Sequence, residues 1–225
     1  MTLLTQKGRS RSPPGVEPGS IARVVPDSPD AYWNHNTAFH SEILRRCDET
    51  VGDVLDIGCG DGLLVSRMAG KGRHVFGIEA DPQAAEQARR RCAGLTNVTV
   101  IERTFDEASL DDSSFGFVAL VATLHHMDTS AALRRCVRLL CPGGRLYVLG
   151  LTRIASRTDL AFAVASIPRA RTVGALRNEQ WPDDVPTTEP SETLTDIRDQ
   201  ARLLLPGARL RRRAYYRYSL EWTKP

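Results

Sequence analysis

Most of the legible chemistry of this 225-residue chain begins at Val54-Leu55-Asp56-Ile57-Gly58-Cys59-Gly60-Asp61-Gly62. An apolar run that ends in alternating glycines delivers its backbone into a turn where side chains would obstruct a ligand. Apolar residues at helical spacing follow at Leu63, Leu64 and Met68. Strand, glycine turn and helix together make a nucleotide-type site, with backbone N–H groups facing the ligand. Asp56 stands two positions before the first glycine, at the carboxyl end of the strand. A carboxylate there suits an ammonium group and opposes a pyrophosphate. The spacing also differs from G-x-G-x-x-G, whose last glycine packs a helix onto its strand, so a zwitterionic or cationic ligand is favoured over NAD. A second chemical group is the pair His125-His126, just past the apolar run Phe117–Ala122. Imidazoles at the carboxyl end of a buried strand are placed to accept a proton near neutral pH. The structural alternative has one ring packing against the loop and the other capping the next helix.

The elements that must position these groups alternate. Helical spacing of Trp33, Phe39, Ile43, Leu44 and Cys47 predicts a helix over about 30–48, with Tyr32-Trp33-Asn34-His35-Asn36 inside it. Strands are expected at 52–57, 74–79, 98–101, 117–122 and 145–151. Helices are expected at 62–69, from Asp81-Pro82 to Gly94, and over 128–140 before Cys141-Pro142-Gly143-Gly144. This βαβαβ–βαβ order demands an α/β fold, a doubly wound parallel sheet with right-handed crossovers. Residues 152–190 break the rhythm and are expected to form a substrate-cap insertion, with a short apolar helix at 160–167 and a proline-rich run at 181–190. A helix over 192–205 and two strands within 208–223 close the chain. Residues 1–25 are expected to be a disordered tail, and 26–225 one domain.

Composition is that of an ordinary globular protein, with 41% apolar and 25% charged residues. A net charge of +3 is too mild to argue for nucleic acid or an anionic membrane. Arg209, Arg211 and Arg213 alternate, which reads as the solvated face of an edge strand. Five cysteines without a C-x-x-C pair argue against a metal site or a disulfide framework, so a cytoplasmic protein is expected. His35 and His40, five positions apart, make a poor metal pair.

The set of motifs resembles class I S-adenosylmethionine-dependent methyltransferases. Residues 54–62 are similar to that family's first motif, and Glu79, 23 positions after Asp56, stands where the family places the acid that holds the ribose hydroxyls. Ser114-Phe115-Gly116-Phe117-Val118 resembles its S-F-D-x-V segment, Leu124-His125-His126-Met127 its L-H-H segment, and Leu140-Cys141-Pro142-Gly143-Gly144-Arg145-Leu146 its L-x-P-G-G-x-L turn. Two departures stand out: Thr104 occupies the place of an adenine-contacting aspartate, with Asp106 two residues on, and Gly116 replaces the S-F-D aspartate. The resemblance implies a Rossmann-like, mostly parallel seven-stranded sheet with its last strand antiparallel and an N-terminal helical lid. It implies methyl transfer from S-adenosyl-L-methionine to an O, N or C nucleophile of a small molecule, in the compact layout of secondary-metabolite tailoring enzymes. The cofactor-contacting set it implies is Tyr32, Asp56, Gly58, Cys59, Gly60, Glu79, Ala80, Thr104, Phe105 and Ala122. The expected catalytic residues are His125 and His126, with no metal, no nucleic acid or membrane partner, and a monomeric or homodimeric state. Enzymes that methylate amino groups of DNA, and many acting on RNA or protein, carry [DN]-P-P-[FYW] where this chain reads Ala122-Thr123-Leu124-His125-His126, which disfavours those substrates. A cofactor-free or NAD-binding scaffold is the remaining alternative.

Overall fold

The computed structural model describes residues 32–70, 73–156, 189–214 and 217–225, with isolated positions at 164, 168, 172, 175 and 179. The expected tail and most of the expected cap lie outside the described residues.

Seven strands form one sheet: β1 (Asp53–Ile57), β2 (Val75–Glu79), β3 (Val98–Glu102), β4 (Phe115–Val121), β5 (Leu140–Leu151), β6 (Arg209–Arg213) and β7 (Arg217–Thr223). Their order is β3-β2-β1-β4-β5-β7-β6. Strands β1 to β5 pair in parallel, and β7 runs antiparallel to both β5 and β6. The helices are α1 (His40–Asp48), α2 (Leu63–Ala69), α3 (Pro82–Cys92), α4 (Thr129–Leu139) and α5 (Leu194–Leu204). The parallel order reverses between β1 and β4, so the carboxyl ends of these two strands open the crevice where such sheets take ligands.

Strand β4 shows why the sheet needs helices on both faces. Its successive residues point to opposite sides and all but the last are buried. Phe117 and Ala119 join Ile43 of α1, Leu64 and Met68 of α2, and Ala88 of α3. Val118 and Leu120 join Leu133 and Cys136 of α4 and Ile197 and Ala201 of α5. Two apolar cores thus clamp the strand whose end carries the two histidines.

Local signals set the helix starts. Asp81 and Asp128 each accept from the backbone N–H three residues on, at 2.8 and 2.7 Å. Thr193 and Asp196 form a reciprocal capping box on α5. The N-terminal helix begins later than its apolar spacing predicts. Asn34 Oδ1 accepts from the Asn36 and Thr37 N–H groups, both at 2.9 Å, which turns the chain before a 3₁₀ segment at Thr37–Phe39 leads into α1. Strand β5 is longer than its apolar residues suggest because the Pro-Gly-Gly turn is itself paired: Gly143 N–H donates to Lys224 O and Lys224 N–H to Gly144 O, both at 2.9 Å. Strand β6 is the sheet edge, with Arg209 and Arg211 exposed as expected. Arg213 instead turns inward, onto Glu42 and the Phe39 ring.

Two glycine expectations gain physical reasons here. Gly62 does pack a helix: a Cβ at this position would lie 2.9 Å from Ala88 Cα of α3, so the third glycine serves the neighbouring helix in place of its own strand. At Gly116, which stands where a family aspartate is expected, a Cβ would overlap the Val51 carbonyl oxygen. The backbone before β1 fills the space that side chain would need. Gly116→Ala is therefore expected to cost about 3 kcal/mol of stability, read as a lower urea midpoint at unchanged m-value.

All five cysteines are free thiols, four of them buried. No described helix is long and apolar enough to cross a membrane.

Candidate cofactor and active site

The glycine loop is held by β2 from behind. Gly58 and Cys59 N–H both donate to Ile78 O, at 2.8 and 2.9 Å. Gly58 has φ +70°, and any side chain there would strike the Thr123 hydroxyl. The loop therefore meets the end of β4 through bare backbone, and Thr123 Oγ1 settles on Val121 O at 3.0 Å.

Two acids flank the loop in different states. Glu79 is tied down: its Oε2 accepts from Gly60 N–H at 2.8 Å and its Oε1 from Asp81 N–H at 3.0 Å. Each oxygen keeps a further lone pair for a ligand hydroxyl. Asp56 is 2% exposed and its Oδ1 has no hydrogen-bond partner among the described residues. Burial, and then the Glu79 charge, push its pKa up to about 7. An unpaired carboxyl oxygen inside a binding cavity is an unmet demand for a cation or a donor.

These groups line a cavity of about 710 Å³ at the carboxyl ends of β1, β2 and β4. The cavity brings together Tyr32, Asp56, Gly58, Cys59, Gly60, Glu79, Ala80, Thr104, Phe105 and Ala122, every cofactor-contacting residue expected from sequence. Their surroundings differ. Tyr32 donates to Asp61 Oδ1 at 3.3 Å, and burial raises its pKa. Asp61 is neutralised by Arg91, whose Nη2 donates to Oδ2 at 2.7 Å. Cys59 is buried, and burial pushes its thiol pKa well up. The Thr104 hydroxyl donates to Glu107 at 2.8 Å, so its proton is already used. The Phe105 ring is 4% exposed, with the Arg135 guanidinium 4.5 Å from its centroid, while Asp106 also reaches the wall. Ala122 has φ +55°, a left-handed turn that ends β4 after its N–H has donated to Leu149 O at 2.7 Å.

The two histidines separate. They occupy a 3₁₀ turn, Leu124–His126, with ring centroids 4.0 Å apart. His126 is exposed and lines the cavity, whereas His125 is half-buried and not part of its lining, with Nδ1 lacking a partner among the described residues. Burial, then His126 and Arg217, lower the His125 pKa to about 4, so it is neutral at physiological pH.

The cavity also contains groups that sequence reasoning did not assign to it. Asn34, Asn36, Thr37 and His40 line its wall. The density of polar and aromatic groups in residues 32–36 was the only local signal. His40 was visible only as half of an unconvincing metal pair.

A doubly wound sheet with this order, a bare-backbone turn at its switch point and an unpaired buried acid define a Rossmann-like protein built for a cationic or zwitterionic nucleoside. Comparison with known proteins makes the class specific. The methyltransferase domain family matches residues 55–148. An uncharacterized methyltransferase of Mycobacterium tuberculosis is 32% identical over 200 residues, covering 87% of this chain and 99% of that protein. A ubiquinone biosynthesis O-methyltransferase of Xanthomonas oryzae is 38% identical over 130 residues, covering 56% of this chain and 52% of its own length. A solved SAM-dependent methyltransferase from Aquifex aeolicus superposes with a TM-score of 0.56 at 17% identity, covering 83% and 89% of the two chains. The chain belongs to the class I S-adenosylmethionine-dependent methyltransferases. It is an enzyme whose cofactor is S-adenosylmethionine, which sets aside the NAD-binding and cofactor-free alternatives.

The residues present fit that cofactor. Asp56 offers its unpaired oxygen, and Glu79 offers two anchored oxygens to a ribose diol. When bound, the cofactor supplies a methyl group on a sulfonium for in-line displacement. The task left to the protein is to orient, to exclude water and to manage a proton.

Proposed function

We propose that this enzyme transfers the methyl group to an O, N or C nucleophile of a small molecule, with His126 as the base that takes the nucleophile's proton. The observation that carries the reading is the position of His126 on the wall of the cavity that also holds Asp56, Gly58 and Glu79. A volume of about 710 Å³ lies within the usual range for small-ligand sites. The partial match to ubiquinone biosynthesis O-methyltransferases, of which the chain spans about half, supports a small acceptor. His125, neutral and behind the wall, supports the His126 ring by contact. Compact enzymes of secondary metabolism share this layout, and a soluble tailoring role is the corresponding proposal.

The test is a labelled-methyl transfer assay over phenols, amines, carboxylic acids and activated carbon acids, run beside bulk RNA and protein. Label on one small-molecule class is the expected result, and label on RNA or protein alone would overturn it. With the acceptor found, His126→Ala is expected to lower kcat about 100-fold or more while S-adenosylhomocysteine affinity holds within two-fold or so.

A further inference from the structure

The charges along the cavity wall are unbalanced. Among the described residues, Asp56, Asp61, Glu79, Asp81, Asp106 and Asp128 line it against a single guanidinium, Arg103. His40 adds no positive charge, because burial, then Arg67, hold its pKa down at about 3. The acids divide along the crevice. Asp56, Asp61, Glu79 and Asp81 belong to the glycine loop and the end of β2, and Arg91 offsets Asp61. Arg103 and Asp106 follow β3, the edge strand farthest from β4 on that side of the sheet. Asp128 is the lining acid that stands at the end of β4, beside the histidines.

Its placement has a local cause. Met127 is extended, with φ −127° and ψ 167°, and the residues on either side of an extended residue project to the same side. His126 and Asp128 accordingly both line the cavity. Asp128 Oδ1 caps α4 by accepting from Ala131 N–H at 2.7 Å, whereas Oδ2 has no hydrogen-bond partner among the described residues. Glu192, held by Thr129 and Gln200, adds a second carboxylate at the start of α4. Arg217, whose charge reaches His125, is 8% exposed and not part of the lining. Val121 and Met127 supply apolar surface at the same end. A base, a carboxylate with a free oxygen and an apolar flank thus share the acceptor end.

We propose that the methyl acceptor is an amine that arrives as its ammonium ion, held by Asp128 and deprotonated by His126. The proposal rests on the small-molecule reading above and narrows its nucleophile from O, N or C to N. A carboxylate or phosphate acceptor would meet like charge along this wall, whereas an ammonium ion is drawn in and paired. The same acidity offsets the repulsion between an ammonium ion and a sulfonium cofactor. With the methyl group supplied by the cofactor, the balance is that of an ammonium ion becoming an N-methylammonium ion. Nitrogen loses one proton, through His126 to water, and its freed electron pair forms the bond to the methyl carbon. The electron pair of the broken carbon–sulfur bond remains on sulfur.

The test is labelled-methyl transfer to a panel of amines, each set beside the alcohol and the carboxylic acid of the same skeleton, with phenols, carbon acids, RNA and protein run in parallel. Label on an amine and not on its alcohol or acid counterpart is the expected result. An amine panel without label overturns the proposal. Label on another small-molecule class then leaves the small-molecule reading standing, and label on RNA or protein alone removes that reading too. With the amine found, Asp128→Asn isolates the charge, because Asn caps a helix as well as Asp does. KM for the amine should rise about ten-fold or more with kcat within about three-fold, while S-adenosylhomocysteine affinity, which also certifies folding, is unchanged. Added salt should raise the wild-type KM and leave that of the variant nearly constant. A KM that the substitution does not move overturns the part given to Asp128.

Discussion

Replacing Glu79 with alanine is expected to lower S-adenosylhomocysteine affinity by about 100-fold or more, close to 3 kcal/mol. Two effects combine. The ribose diol loses a charged acceptor, and the Gly60 and Asp81 N–H groups that now rest on the carboxylate are released. The glycine loop then loses its tie to β2 on the ligand side while keeping the Ile78 contacts behind it. Glu79→Gln separates the two contributions. One amide oxygen can still accept from Gly60 or Asp81, but the NH₂ group faces the other N–H, donor against donor. An intermediate loss of affinity and a small drop in thermal midpoint are expected for Gln, with a full loss for Ala. Calorimetry and thermal unfolding read the two. Unchanged affinity in Glu79→Ala would refute the role given to this acid.

Asp56 supplies the second large effect, and its direction depends on pH. Its folded-state pKa is raised from 3.8 to about 7, by burial and then by Glu79. The folded protein thus holds this proton more tightly than the unfolded chain does. Stability of the ligand-free enzyme should rise from this group as pH falls from above about 7 toward about 4, and be lowest, by on the order of 4 kcal/mol, at alkaline pH. Asn in its place removes a buried charge, so Asp56→Asn should unfold at a higher temperature than wild type at pH 8, by a smaller margin at pH 5, and at about the same temperature only below about pH 4. The same variant should bind S-adenosylhomocysteine about ten-fold more weakly or worse. A cationic ligand also pulls this pKa down, so wild type near neutrality should release protons on binding, seen as a dependence of calorimetric heat on buffer ionisation. Asn should abolish that release. A variant less stable than wild type at pH 8 would contradict this account of Asp56.

These two acids were legible in the sequence because their placement is local. Asp56 precedes its glycines directly, and Glu79 ends the next strand, so the strand–turn–helix order alone brings both to one crevice. The histidines were legible as a pair but not as individuals. Which ring faces the cavity depends on the left-handed turn at Ala122 and the 3₁₀ turn after it, and neither has a residue signature. The polar wall at Asn34, Asn36, Thr37 and His40 was not legible. Asn36 is oriented by Arg217, 181 positions away, and His40 by Arg67, 27 positions away. The helix start was misplaced for a related reason. Trp33 and Phe39 continue an apolar period that Asn34 interrupts by capping the backbone with its own side chain. Gly116 appeared only as a missing aspartate, since the obstruction is the carbonyl of Val51, a residue from another strand's approach.

The sheet order carries a consequence for how the chain is made. Strand β7 lies between β5 and β6, both of which precede it in sequence. On a ribosome, β5 therefore waits with one row of backbone groups unpaired until residue 223 has emerged. An open row of that kind invites pairing with another nascent chain. The β6–β7 hairpin, closed by a short connection, can assemble first and dock as a unit through β7. Synthesis past residue 151 thus sets how long that row stays open.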